Sequence, residues 1–499
     1  MDIEPAAGHG DLFEAVVSGE DDTVVRLLRS GIPAEATDEE GQTALYLAAV
    51  QDQPGIARLL LAAGADPNRS SGQDSVDLPL CGAACGGHAE VARALLAAGA
   101  QPDRREEFGY TAMTWAVQQG HTDTVETLLA YGASPDLAGP HGEPPLVLAA
   151  RRGAAGTVRT LLEHGAAAKN EALGEARRWL GLDVEQELRR RLTSAYEGEF
   201  DTVTRRVEED GGVTVVVELL GDNAPRAGDE QQTGHAAIAT LLEAELGIQT
   251  PFAELAERAL RCGDPDNDDW IEAMHVLHRR GDEETFQAAS AWCASGEPMR
   301  QAFAADVLGR LGFQGGEKPF AARSLPVLRE LSREAADPEL IQSAVLALGH
   351  QGDPAALPEI LRHAGHPDPE VRYRVALALG GLVPGDHEEA IGLLVTLSGD
   401  TDDRVRDWAT MALAGVDADT PTVREALAAR LDDDDADAAA EAARGLAMRQ
   451  DPRATGALVR ILADEDPDGY AYSTAAQAVE YVVDEGDRMR LERTAPRCR

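Results

Sequence analysis

Residues 111–133 read TAMTWAVQQGHTDTVETLLAYGA, and this stretch decides the fold. Ala112, Met113, Ala116 and Val117 recur at helical spacing, as do Val125, Leu128 and Leu129. Gly120-His121 separates the two runs and Gly132 follows the second. The reading is therefore two short helices, the second ended by a glycine that can take the left-handed conformation. A helical pair of this size cannot bury its apolar face alone and needs neighbours of its own kind.

Those neighbours are present. The Leu-Leu pair and its glycine recur as Leu27-Leu28…Gly31, Leu60-Leu61…Gly64, Leu95-Leu96…Gly99, Leu128-Leu129…Gly132 and Leu161-Leu162…Gly165, with glycine spacings of 33, 35, 33 and 33. Thr43-Ala44-Leu45 matches Thr111-Ala112-Met113 at the opening, and Gly87-His88 matches Gly120-His121 at the turn. In period, opening, turn and ending, residues of about 10–170 resemble the ankyrin repeat. The opening histidine of that family is replaced by Tyr46, Cys81, Thr114 and Val147, and its proline survives only at Pro79 and Pro145. The 35-residue interval places extra residues around Ser70–Ser75, in one finger loop.

A second period begins after residue 268. Leu277, Leu308, Leu348, Leu379, Leu413, Leu446 and Val479 hold equivalent places near the ends of alanine-rich amphipathic helices, the interval of 40 containing the insertion Gly315–Pro319. Asp368-Pro369 opens one helix with an N-cap and a proline whose missing N–H costs nothing there. Residues of about 268–485 resemble short HEAT repeats of the phycobilisome-lyase type. Between the two arrays, Leu173–Leu192 reads as one helix. The β-branched runs 202–207 and 213–219 read as a hairpin, and 221–229 as a loop. The expected fold class is all-α: two helical-repeat solenoids, an ankyrin stack over 1–170 and a HEAT-like stack over 268–499, joined by a mixed segment 171–267 with one β-hairpin.

Charge and composition narrow the function. The 499 residues suit two to four folding units of roughly 150 residues. Against 45 basic residues stand 88 acidic ones, 24 of them in residues 1–170, a balance unsuited to coating nucleic acid or an anionic membrane. No apolar run approaches the ~20 residues that span a bilayer. The opening MDIEPAAGHGDLFEAV lacks the basic and apolar regions of a secretory signal, so a cytoplasmic location is expected.

Candidate chemistry is sparse. Cys81 and Cys85 lie one helical turn apart with no second Cys or His pair to complete a zinc set, and read as packing residues. His275, His278, His363 and His366 read as surface or loop histidines. His387-Glu388 is a single His-Glu dyad, too few for the di-iron sites of HEAT-like hydroxylases. Asp432–Asp435 lacks the ligand pattern of a calcium loop and reads as helix capping. No enzyme, cofactor or metal is expected.

The expected function is a protein-interaction adaptor or scaffold. In ankyrin repeats, partners meet finger loops and the inner helix face, which the resemblance maps onto Tyr46, Arg104, Arg105, Phe108, Tyr110, Trp115, Gln118, His141 and Arg151. Phe108, Tyr110 and Trp115 are the sharpest candidates, because aromatics are only 4% of the chain and dominate interface energetics. Tyr373, Arg374, Asp407 and Trp408 are the candidates in the HEAT-like part. The lyase-type resemblance implies one alternative, a bilin lyase or chromophore chaperone. The acidic charge permits another, an immunity or inhibitor protein wrapping a basic partner.

Overall fold

The computed structural model describes residues 9–73, 76–196, 200–209, 212–221, 224–467 and 469–494. They form two compact units, Met1–Pro251 with Asp266–Ala273, and Phe252–Pro265 with Met274–Arg499.

The first unit is a stack of helical pairs, from His9–Val17 with Asp21–Arg29 to Pro145–Arg152 with Ala155–Glu163. Two of the pairs open on a threonine cap: Thr43 accepts from the backbone N–H of Tyr46, and Thr111 from that of Thr114. At Thr111 this is a capping box, with Thr111 and Thr114 satisfying each other's backbone. Leu95, Met113, Leu128, Leu146 and Leu161 are fully buried in one continuous core between the pairs.

That core does not stop at residue 163. Lys169–Trp179 packs along Pro145–Arg152, and His235–Glu245 packs against Lys169–Trp179 and Ala155–Glu163. Ala172, Leu173, Ala176, Ala237, Ile238 and Leu242 all belong to the same cluster. Together these two helices make a further pair, split by an inserted segment. Gly234-His235 repeats the Gly-His turn, the signal that would have revealed it in the sequence, while Gly247 falls five residues after Leu242 where the five copies place their glycine three after the second leucine. The N–H of Gly234 donates to the carbonyl of Gly153 at 3.1 Å, so the split pair is bonded to the preceding turn.

The insertion is a small α+β module. Leu180–Asp183 breaks the single helix expected over 173–192: Gly181 adopts φ +84° and Asp183 caps Val184–Ala195. In place of a lone hairpin there is a three-stranded antiparallel sheet, β1 (Asp201–Glu209), β2 (Gly212–Gly221) and β3 (Ala224–Gln232), in that order. The loop expectation failed at β3, although its residues 222–223 lie outside the described residues. β3 is an edge strand with Pro225 near its start, so it shows no apolar alternation. Leu188 and Leu192 cover Val215, Val217 and Leu219 of β2.

The second unit is a row of long first helices, Pro298–Arg310, Pro338–Gln351, Pro369–Leu379, Asp403–Gly415, Ala436–Met448 and Tyr470–Ala478, backed by shorter second helices. Small residues let the row close up: a Cβ on Gly349 would lie 2.7 Å from the Cα of Ala378. Arginines then bond each unit to the next. Arg372 donates to Asp400 at 2.7 and 2.8 Å, and Arg406 to Asp433. Asp435 caps Ala436–Met448, so the Asp432–Asp435 run is used by the fold. The Gly315–Pro319 insertion is pinned by Lys318, whose ammonium donates to the carbonyls of His350 and Gln351 at 2.8 Å.

Arg449 has the largest structural task in this unit. Its guanidinium, 9% exposed, donates to the carbonyls of Val416, Gly445, Ala414 and Ala418 at 2.6–2.9 Å, closing the end of Asp403–Gly415. Arg449→Met keeps the bulk and orphans these buried acceptors, which cost about 1–3 kcal/mol when unmet. Urea unfolding of the second unit should shift by about 3 kcal/mol, and a shift below about 0.5 kcal/mol would show that water replaces the guanidinium.

Candidate protein-binding surfaces

The finger between the third and fourth complete helical pairs is built from 104–110. Arg104 donates to the carbonyl of Asn68, and Arg105 donates to the carbonyls of Gly109 at 2.6 Å and Ala138 at 2.7 Å. Both arginines therefore shape the finger and link it to its neighbours. Glu106 accepts from the Trp115 indole N–H at 2.9 Å and from the backbone N–H of Leu78 at 3.2 Å. Burial raises the Glu106 carboxyl above its usual range, against the opposing pull of those donors. Tyr110 stacks on Trp115 with ring centroids 4.4 Å apart. Trp115 packs on the stack core, so it and Tyr110 hold the finger rather than standing free. Phe108 is different: it is 71% exposed at the tip.

The remaining candidates are distributed around this finger. Tyr46 is half-buried against the site of Gly82, and burial beside Asp77 and Glu106 pushes its phenol up to about 12. Gln118 and His141 are exposed. Arg151 is held by Glu143 at 2.5 Å and by Glu175 at 3.4 Å. Cys81 is buried in the stack, and burial raises its thiol well above the ordinary range. His121 bonds the carbonyl of Cys85 at 3.1 Å, a link between adjacent pairs.

A cleft of about 630 Å³ lies in the same unit, between the turns at Gly120 and Gly153 and the end of β3. Its polar lining is largely committed internally. Thr122 bonds Thr157 at 2.8 Å, and Arg159 pairs with Glu272 at 2.8 Å and Asp268 at 3.1 Å.

In the second unit His275 is exposed and His363 and His366 lie outside the helices, as expected, but His278 and His363 are not free on the surface. His363 is 7% exposed, and His278 bonds the carbonyl of Asp306 at 2.8 Å, burial lowering its pKa to about 4. His387 caps Glu388–Leu397. Tyr373 and Trp408 meet edge to face at 6.4 Å, bringing together candidates from two successive first helices. Arg374 and Arg404 both place guanidiniums over Tyr373, at 5.4 and 5.0 Å, and both pair with Glu370. Sequence reasoning missed Met411, Glu441 and Tyr470 on the same face. Their signal is the repeat register, since Tyr373, Asp407 and Glu441 are spaced by 34. The Tyr470 hydroxyl lies 2.7 Å from Glu441 Oε1, and Glu441 is 2% exposed.

Comparison with known proteins agrees with this geometry. A model of ankyrin repeats matches residues 8–71 and 80–172, and a model of HEAT repeats matches 325–414 and 397–480. Among curated proteins, mouse protein phosphatase 1 regulatory subunit 27 is 38% identical over 79 residues, 16% of this chain and 50% of that one. Its human counterpart is 40% identical over 77 residues, 15% of this chain and 48% of that one. The palmitoyltransferase akr1 of Schizosaccharomyces pombe is 48% identical over 64 residues, 13% of this chain and 10% of that one. The chain thus spans about half the length of the phosphatase subunits it matches. On helical pairs, core and repeat register together, this is a protein of ankyrin repeats followed by HEAT repeats.

Proposed function

We propose that the chain is a non-enzymatic adaptor that holds protein partners on its repeat surfaces, with the 104–110 finger as the contact in the ankyrin stack. The observation that carries this reading is Phe108, a large apolar side chain 71% exposed on a finger that Arg105, Glu106, Tyr110 and Trp115 already hold in place. The fold makes no use of that ring, whereas interface hot spots are built from such aromatics. The mouse and human relatives are, by name, regulatory subunits of a protein phosphatase, in keeping with an adaptor. No helix of the described residues is long and apolar enough to cross a membrane, and a cytoplasmic site of action is part of the proposal.

Two substitutions separate contact from architecture. Phe108→Ala should leave the melting temperature unchanged and abolish capture of the partners retained by the native chain from its own cell extract. Tyr110→Ala should lose about 2 kcal/mol of stability, because it removes the stack on Trp115. Retention of every partner by a folded Phe108→Ala variant would refute the finger as the contact. The acidic balance of −43 also predicts no shift of duplex DNA in a gel at about 150 mM salt, and a shift persisting there would contradict the proposed partner class.

A further inference from the structure

Two adjacent first helices of the HEAT array each carry an aromatic ring and a carboxylate, in different registers: Tyr373 stands three residues after Glu370, and Trp408 directly after Asp407. On Pro369–Leu379 the pair is Tyr373 with Glu370, and the chain fills it with its own cations: Arg374 and Arg404 lie over the ring and bond the carboxylate. On Asp403–Gly415 the pair is Trp408 with Asp407. Among the described residues no guanidinium or ammonium lies over Trp408, and no hydrogen bond or ion pair reaches Asp407. The surroundings of this second pair are apolar and anionic. Met411 lies one turn further along the helix, and the exposed hydroxyl of Tyr470 approaches its sulfur at 3.8 Å. Glu441 is occupied by Arg444 and Tyr470.

We propose that this face binds a cationic protein segment, whose arginine or lysine side chain lies against Trp408 and whose charge is met by Asp407. The occupant is inferred from charge complementarity: Asp435, Asp437 and Glu441 crowd Asp407 with negative charge, and guanidinium over an aromatic face is a favourable contact. Aromatic and thioether surface beside the carboxylate accommodates the aliphatic stem of either side chain. The inference rests on the adaptor reading and adds the chemistry of a partner, on a surface separate from the 104–110 finger.

The free protein bears a cost that such a partner would relieve. Burial, with Asp435, Asp437, Glu441 and Asp433 on and before the next helix, pushes Asp407 up to about 7. Tyr470, Arg444, which pairs with Glu441, and the Glu370–Arg374–Arg404 set are further ionisable groups of this face. A folded-state pKa above the ordinary 3.8 means that stability is full below about 4 and declines as Asp407 ionises through 7.

The test uses the full chain and a fluorescein-labelled octa-arginine peptide, read by anisotropy at about 150 mM salt. Asp407→Asn should weaken binding at least tenfold at pH 8 while raising the melting temperature there, with no gain near pH 4. Trp408→Leu should weaken binding similarly. Asp386→Asn, which removes an equal charge from an exposed loop, should change it less than twofold, as should Phe108→Ala. Equal loss in Asp386→Asn and Asp407→Asn would show attraction by the whole acidic chain and overturn the site. So would unchanged binding by Asp407→Asn. Loss of cell partners by Phe108→Ala with peptide binding intact leaves both surfaces standing, each on its own test.

Discussion

Everything in this protein follows from one constraint: a helix of two or three turns has one apolar face and no means of covering it except another helical pair. The wholly buried Leu95, Leu128 and Leu161 are covered by neighbours one period away in the chain. Stability of this kind is a chain of nearest-neighbour contacts, with no central core to which all parts report. The constraint also explains the composition. Alanine and glycine at facing positions, as where Gly349 meets Ala378, allow first helices to approach until backbones almost touch.

How much of this was legible in the sequence depended on whether a signal was local and repeated. The Leu-Leu…Gly period showed the ankyrin array because five copies stand in register. The split pair Lys169–Trp179 and His235–Glu245 was hidden, because its halves are separated by the inserted helix and sheet. The break at Gly181 was invisible to periodicity, since Leu188 and Leu192 continue an apolar pattern against a different partner, β2. At the finger, sequence could name Phe108, Tyr110 and Trp115 as unusual but could not rank them. Only the stack of Tyr110 on Trp115 and the bond to Glu106 separate the rings that hold the finger from the ring that the finger presents.

Charge is organised by the same repetition. Arg372 with Asp400 and Arg406 with Asp433 occupy matching places in successive units, so many of the acidic residues are neutralised inside the array. Such half-buried bidentate pairs fix the orientation of one unit on the next more than they add stability. Asp407 departs from this pattern: burial and neighbouring carboxylates raise it, while Trp408 beside it has no cation of its own.

The central claim is that stacking between neighbouring pairs, including the split pair, holds the ankyrin unit. It is tested most directly by native-state hydrogen exchange on a Leu242→Ala variant, Leu242 being fully buried in the shared core. Loss of protection should spread from His235–Glu245 to Lys169–Trp179 and Ala155–Glu163 and fade toward Asp21–Arg29. If protection falls in His235–Glu245 alone, with Lys169–Trp179 and Ala155–Glu163 unchanged, the split pair is an appendage and the account of a continuous stack is wrong.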